Sequence, residues 1–236
     1  MKFSWNEDTI RWYQEANTYT GFFNNIAKLI APSLKGYNTL CDIGCGLGIL
    51  DLAICQHIDH ITCIDISKEA IGALNKCIKN KGITNITTKI MDYHELNEHA
   101  QWDVIIISFF GGRHLTDFVP RCKKLLAVLI DTEPASEFAP VKHNTIKKYT
   151  LLEAEKDLQK AGINYVSTKA VFNFGQPLIS IEEAKTFVQS HSPNITPEDL
   201  DISIRERLVQ TDEDHYPFFL PQQKSIGILY IEGGLT

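Results

Sequence analysis

Asp42, Gly44, Gly46 and Gly48 stand together in the stretch "TLCDIGCGLGIL", residues 39–50. Glycines at alternate positions after a short apolar run let a ligand approach the main chain with no Cβ in the way. A dinucleotide pyrophosphate is held by G-x-G-x-x-G at the start of a helix. Counted from Gly44, that pattern needs glycine at 49, where the chain has Ile49. The acid before the turn argues against phosphate as well, because Asp42 would repel it. The same carboxylate suits a ligand that carries an ammonium group, which it can meet in a charge-assisted hydrogen bond. A cationic, phosphate-free nucleoside satisfies both demands.

Three further groups of residues follow in order. Asp65 closes the next apolar run, 21 residues after Gly44, and is followed by Ile66; "MDY" (Met91, Asp92, Tyr93) ends the third; "WDVIIISFFGG" contains the fourth. With the first motif read as D/E-x-G-x-G-x-G, residues 38–131 resemble the class I S-adenosylmethionine-dependent methyltransferases. The resemblance implies that Asp42, Gly44, Cys45, Gly46 and Gly48 hold the methionine part of S-adenosylmethionine. It also implies that Asp65 accepts from both ribose hydroxyls, and that Ile66 and Met91 pack on the adenine with Tyr93 beside them. Asp92 then takes the adenine amino group, and Ser108, ending the fourth strand, faces the transferred methyl group. The product is S-adenosylhomocysteine.

The acceptor is constrained by what is missing. The motif D/N/S-P-P-Y/F of exocyclic-amine methylases is not matched by Ser108, Phe109, Phe110 and Gly111, and none of the nine prolines precedes a cysteine, as a cytosine-C5 methylase requires. A protic acceptor calls for a base near the fourth strand's end. His114, in "GGRHLTD", is the candidate catalytic residue, ahead of Arg113 and Asp117. Tyr13, Tyr19, Phe109, Phe110, Gln176, His215 and Tyr216 are candidates for the substrate pocket, their apolar faces and hydrogen-bonding groups suiting a small molecule. Trp5 and Trp12 join Tyr13 and Tyr19 as candidates for an aromatic lid over a sulfonium. Cys41 and Cys45 do not complete an iron–sulfur pattern, because the third position is Gly48, and no cluster has metal-ligand spacing.

The elements that must position these residues alternate. Residues 8–31 carry apolar side chains at helical spacing, which predicts one or two amphipathic helices. Strands at 39–43, 61–64 and 86–90, in "WDVIIIS" and in "KLLAVLID" are separated by helices, with Ser67 as an N-cap. That alternation predicts an α/β fold, a mostly parallel twisted sheet between helical layers; the family resemblance supplies seven strands with the last one antiparallel. The expected organisation is a single domain over 1–236: a helical cap (1–36), a cofactor-binding core (37–162) and an insertion (176–223) that serves as a substrate lid. A formal charge of −6 and the lack of a long basic stripe argue against a nucleic-acid partner. No secretion signal or membrane span is read, so the cytoplasm is the expected location. The resulting expectation is a small-molecule methyltransferase, with an RNA or protein methyltransferase, or a non-catalytic S-adenosylmethionine-binding regulator, as alternatives.

Overall fold

Asn6 opens the first helix of the computed structural model, which describes residues 5–96, 101–110, 115–131, 138 and 149–235. The Asn6 side chain accepts from the Thr9 N–H, and the Thr9 hydroxyl accepts from the Asn6 N–H, a reciprocal cap on helix α1 (Glu7–Thr20). Gly21, at φ 67°, ends α1 and turns the chain directly into α2 (Phe22–Ile30), so the helical leader is two helices. Phe22, Phe23, Ile26, Ala27 and Ile30 of α2 are all buried.

Strands β1 (Thr39–Ile43), β2 (His60–Asp65), β3 (Ile86–Ile90), β4 (Trp102–Ser108), β5 (Cys122–Ile130) and β6 (Tyr165–Asn173) alternate with helices. These are α3 (Ile49–Ile54), α4 (Lys68–Lys81), α5 (Leu115–Phe118) and α6 (Leu151–Lys160). After β6, residues 174–222 hold β7 (Gln176–Leu178), α7 (Ile181–His191), α8 (Pro197–Arg207), β8 (Val209–Gln210) and β9 (Phe218–Leu220), before β10 (Gln223–Glu232) returns to the main sheet. The seven-stranded order is β3-β2-β1-β4-β5-β10-β6. Of its strands, β10 alone is antiparallel, running against both β5 and β6.

The central strands are buried on both faces because alternate side chains point to opposite sides. Leu40, Val104, Ile106, Leu126 and Val128 share a core with α2 and α3. Cys41, Ile43, Ile105, Ile107, Leu125, Ala127 and Leu129 share the other with α5 and α6. Asp42 has the parity of Leu40, which sends it to the α3 side.

The inserted residues have a core of their own, around the small sheet β7-β9-β8. Leu178, Ala184, Phe187, Val188, Leu200, Ile204 and Leu220 fill it together with Trp12 of α1. The Trp12 indole N–H donates to Glu183 Oε1 at 3.0 Å, and Arg11 pairs with the same carboxylate at 2.7 Å. The N-terminal helix and the insertion are therefore joined by a shared core, a hydrogen bond and an ion pair.

Asp103 ties the start of β4 to the start of β1. Its Oδ2 accepts from the N–H groups of Asn38 and Thr39, both at 2.9 Å. These backbone bonds, Asn38's foremost, hold the carboxyl below the usual carboxylate range. A depressed pKa adds stability that is present above the unfolded value and lost as pH falls through the folded one. Asp103→Ala is expected to cost about 1.5 kcal/mol at neutral pH. The difference from wild type should shrink below about pH 4, as read from urea midpoints across pH.

Candidate active site

β1 hands over to a turn in which Gly44, Gly46 and Gly48 all lie in the left-handed region, at φ 73°, 55° and 60°. The N–H groups of Gly44 and Cys45 donate to the Ile64 carbonyl at 2.8 and 3.1 Å, which stitches the turn to the end of β2. Asp65 completes the link. Its Oδ2 accepts from the Gly46 N–H and its Oδ1 from the Ser67 N–H, each at 2.8 Å. Ser67 in turn caps α4 through the Ala70 N–H. A carboxylate offers about four acceptor sites, so each oxygen retains capacity for a further donor.

Beside this turn lies a cavity of about 270 Å³ lined by Gly44, Ile64, Asp65, Ile66, Met91, Asp92, Tyr93, His94 and Phe110. Gly44, Asp65, Ile66, Met91, Asp92 and Tyr93 were all expected there from the sequence. Phe110 was expected among substrate contacts, and it shares the same wall. Ile64 and His94 had no signal of their own beyond adjacency to Asp65 and Tyr93. Asp92 uses Oδ1 to accept the His94 N–H at 3.0 Å. Ile66 is 50% exposed at this cavity, an apolar surface that a flat heterocycle would cover.

Asp42, expected to hold the methionine part of the cofactor, does not line this cavity. It is 1% exposed and faces the fully buried Asp51 of α3, and among the described residues its Oδ1 and both Asp51 oxygens lack a partner of full hydrogen-bond geometry. Strand parity is the reason, since it turns Asp42 toward α3 and behind the turn. Burial, then the charge of Asp51, pushes the Asp42 carboxyl well above the carboxylate range. Burial pushes Asp51 up to about 6. The cavity wall also omits Cys45, Gly46, Gly48 and Ser108. Gly48 has a packing role, because a Cβ there would stand 2.6 Å from Leu74 of α4.

An aromatic wall stands beside the turn. Phe109 has φ 51°, rare for a bulky residue, and its N–H donates to the Val128 carbonyl at 2.8 Å. The kink sends Phe109 toward Phe22 and Phe23, while Phe110 lies against Gly44 and edge-on to Tyr93. Trp5 lies over Gly46, 3.3 Å from where a Cβ would be, and meets Tyr13 edge-on. Tyr13 continues to Phe174 and Phe23. Lys224, not singled out from the sequence, holds its Nζ 4.1 Å from the Phe174 ring centre.

The other substrate candidates do not join this wall. Tyr19 stacks on Phe219 and meets Tyr216, with His215 against Tyr216, forming a second aromatic group. Gln176 is 2% exposed and donates to the Pro177 carbonyl. Arg113 and His114 lie outside the described residues.

The residues fit an adenosyl cofactor: a glycine cradle with no room for a Cβ at Gly44, an acid with spare acceptor capacity, and apolar side chains at a cavity of nucleoside dimensions. The comparisons agree. Residues 40–130 match the family model of the methyltransferase domain. No curated protein matches the chain by sequence. Among solved structures, YcgJ from Bacillus subtilis is 15% identical with a TM-score of 0.56, over 88% of this chain and 97% of its own. Magnesium protoporphyrin IX methyltransferase from Synechocystis, solved with bound S-adenosylhomocysteine, is 11% identical with a TM-score of 0.53, over 97% and 89%. A Pyrococcus horikoshii protein described as an RNA methyltransferase is 15% identical with a TM-score of 0.51, over 89% and 82%. These three share the fold. Residues 40–130 thus match a methyltransferase-domain family model, and the whole chain shares its fold with these structures.

Proposed function

We propose that the protein transfers the methyl group of S-adenosylmethionine to a small-molecule acceptor by in-line displacement. In this reading residues 1–36 and 176–223 close over a core of residues 37–162 within one domain, in the cytoplasm. The observation that carries it is the wall of Trp5, Tyr13, Phe109, Phe110 and Phe174 beside the glycine turn. An aromatic surface with a formal chain charge of −6 suits an uncharged or flat metabolite better than a phosphate backbone. The magnesium protoporphyrin enzyme, a structural neighbour, is named for such a small molecule.

S-adenosylmethionine, when bound, supplies a methyl group already activated on a sulfonium, so the chain's task is alignment and exclusion of water. Asp65 holds the ribose hydroxyls, Asp92 the adenine amino group, and Ile66 and Met91 the faces of the ring. Phe110 fills the space above Gly44 and keeps water from the reacting end. Trp5 and Tyr13 turn aromatic faces toward the cation. His114 removes the proton where the acceptor carries one.

The test is methyl incorporation from labelled S-adenosylmethionine in the presence of a metabolite extract, total RNA or a protein mixture. Label in the low-mass fraction is the expected result. Label in RNA or protein would replace the acceptor class. Binding of S-adenosylhomocysteine with no incorporation anywhere would make the protein a sensor.

A further inference from the structure

Asp51 has no part in the chemistry described so far, yet it is a fully buried carboxylate behind the glycine turn. Neither of its oxygens, nor Oδ1 of Asp42, has a partner of full hydrogen-bond geometry among the described residues, although the Cys63 thiol and a backbone N–H come within reach of Asp51. The two side chains face each other within hydrogen-bonding reach. Two carboxylates so placed cannot both ionise, and a hydrogen bond between them requires a proton on one. We propose that Asp51 is a positioning residue of the cofactor site: it shares a proton with Asp42, and the one negative charge the pair retains sets the affinity for the ammonium end of the cofactor. The proposal rests on the reading of the turn as the methionine-holding part of the site.

The groups around the pair leave it free to act in this way. The turn contributes Cys45, β2 contributes Cys63 and Asp65, and β1 contributes Cys41. Burial and neighbouring acids raise the Cys41 thiol, and Cys45 and Cys63 are raised as well, so all three are neutral across the range tested. Lys89 of β3 acts on Cys41 from further away. The core on this side of the sheet, with Phe23, Ile26 and Ala27 of α2 and Leu74 of α4, is apolar. Below about pH 6 the pair takes its second proton and becomes neutral. Above it, one charge remains, which an ammonium ion stabilises. Ligands with the amino-acid end should therefore release protons on binding, and ligands without it should not.

The probes are S-adenosylhomocysteine, which carries the ammonium group, and adenosine, which does not. His94 lines the cavity and faces both ligands equally, so the difference between their profiles isolates the pair. S-adenosylhomocysteine should bind the wild type about tenfold more weakly near pH 5 than near pH 7.5, with adenosine unchanged relative to it. Calorimetry in two buffers of different ionisation enthalpy should show proton release near pH 6 for S-adenosylhomocysteine. In Asp51→Asn, whose amide can donate to an ionised Asp42, both the slope and the release should vanish.

The unloaded protein gives a second readout. A raised folded pKa means that stability is fully present below the unfolded value and lost as pH rises through the folded one. Wild-type stability should fall from about pH 4 upward, through Asp51 near pH 6 and on through the higher titration of Asp42, and this fall should be smaller in Asp51→Asn. Equal pH profiles for the two ligands in the wild type would overturn the proposal, as would an unchanged slope in Asp51→Asn. If Asp51→Asn does not fold, the wild-type comparison still decides. Adenosine binding without S-adenosylhomocysteine binding would instead overturn the reading of the turn.

Discussion

Asp65→Ala is expected to weaken S-adenosylhomocysteine binding by roughly 1.5–3 kcal/mol, about 10- to 150-fold, the scale of hydrogen bonds to one charged group. Two losses combine in that figure. The ribose hydroxyls lose their acceptor, and the turn loses the brace that Asp65 supplies through the Gly46 and Ser67 N–H groups at 2.8 Å. Asp65→Asn separates them. Its amide oxygen can accept only one of those two backbone donors, and its NH₂ opposes the other. The asparagine variant should therefore bind nearly as poorly as alanine, although it keeps the size of the side chain. Titration calorimetry with S-adenosylhomocysteine measures both, and affinity unchanged by either substitution would remove the ribose from this position.

Gly44→Ala is expected to abolish measurable cofactor binding while leaving the fold in place. A Cβ on Gly44 would stand 2.3 Å from Phe110 Cδ2, so the ring must leave its position against the turn and enter the cavity. The backbone adds its own cost, because φ 73° in an L-residue is unfavourable by about 1–2 kcal/mol. Gly36→Ala provides the control. It is also left-handed, at φ 90°, but a Cβ there meets nothing within 4 Å. It should lower stability by about the same 1–2 kcal/mol and bind normally. Phe110→Ala in the Gly44→Ala background should recover part of the binding by removing the clash, with the backbone strain unrelieved. Normal binding by Gly44→Ala alone would show that nothing is held close to the turn.

What the sequence by itself determined is everything carried by local patterns. Continuous apolar runs marked the central strands, because a strand covered on both faces must be apolar at successive positions. Asp42 with its glycines, Asp65 and Asp92 each stand where a strand ends, and parallel strands bring their C-terminal ends to one edge. Their order along the chain, together with the family resemblance it carried, pointed to Gly44, Asp65, Ile66, Met91, Asp92 and Tyr93 as one site, and these residues line one cavity. The Ser67 cap was an equally local signal, whereas the break at Gly21 within residues 8–31 appeared only in the structure.

The tertiary structure alone decided which way side chains faced once elements met. Asp42 looked like a ligand contact, but it faces Asp51 because α3 packs on the side to which strand parity sends it. Trp12, in an N-terminal helix, fills the core of an insertion that begins more than 160 residues later. Its indole N–H finds Glu183 there. Gln176 carried the polarity of a pocket residue and is packed inside, and Tyr19, Tyr216 and Phe219 gathered away from the cavity. The left-handed kink at Phe109, which sends Phe109 and Phe110 to different neighbours, has no sequence signal, since the residues favoured there are glycine and asparagine. Spacing reports which face of its own element a residue occupies. Which neighbour covers that face depends on long-range packing, and no local pattern encodes it.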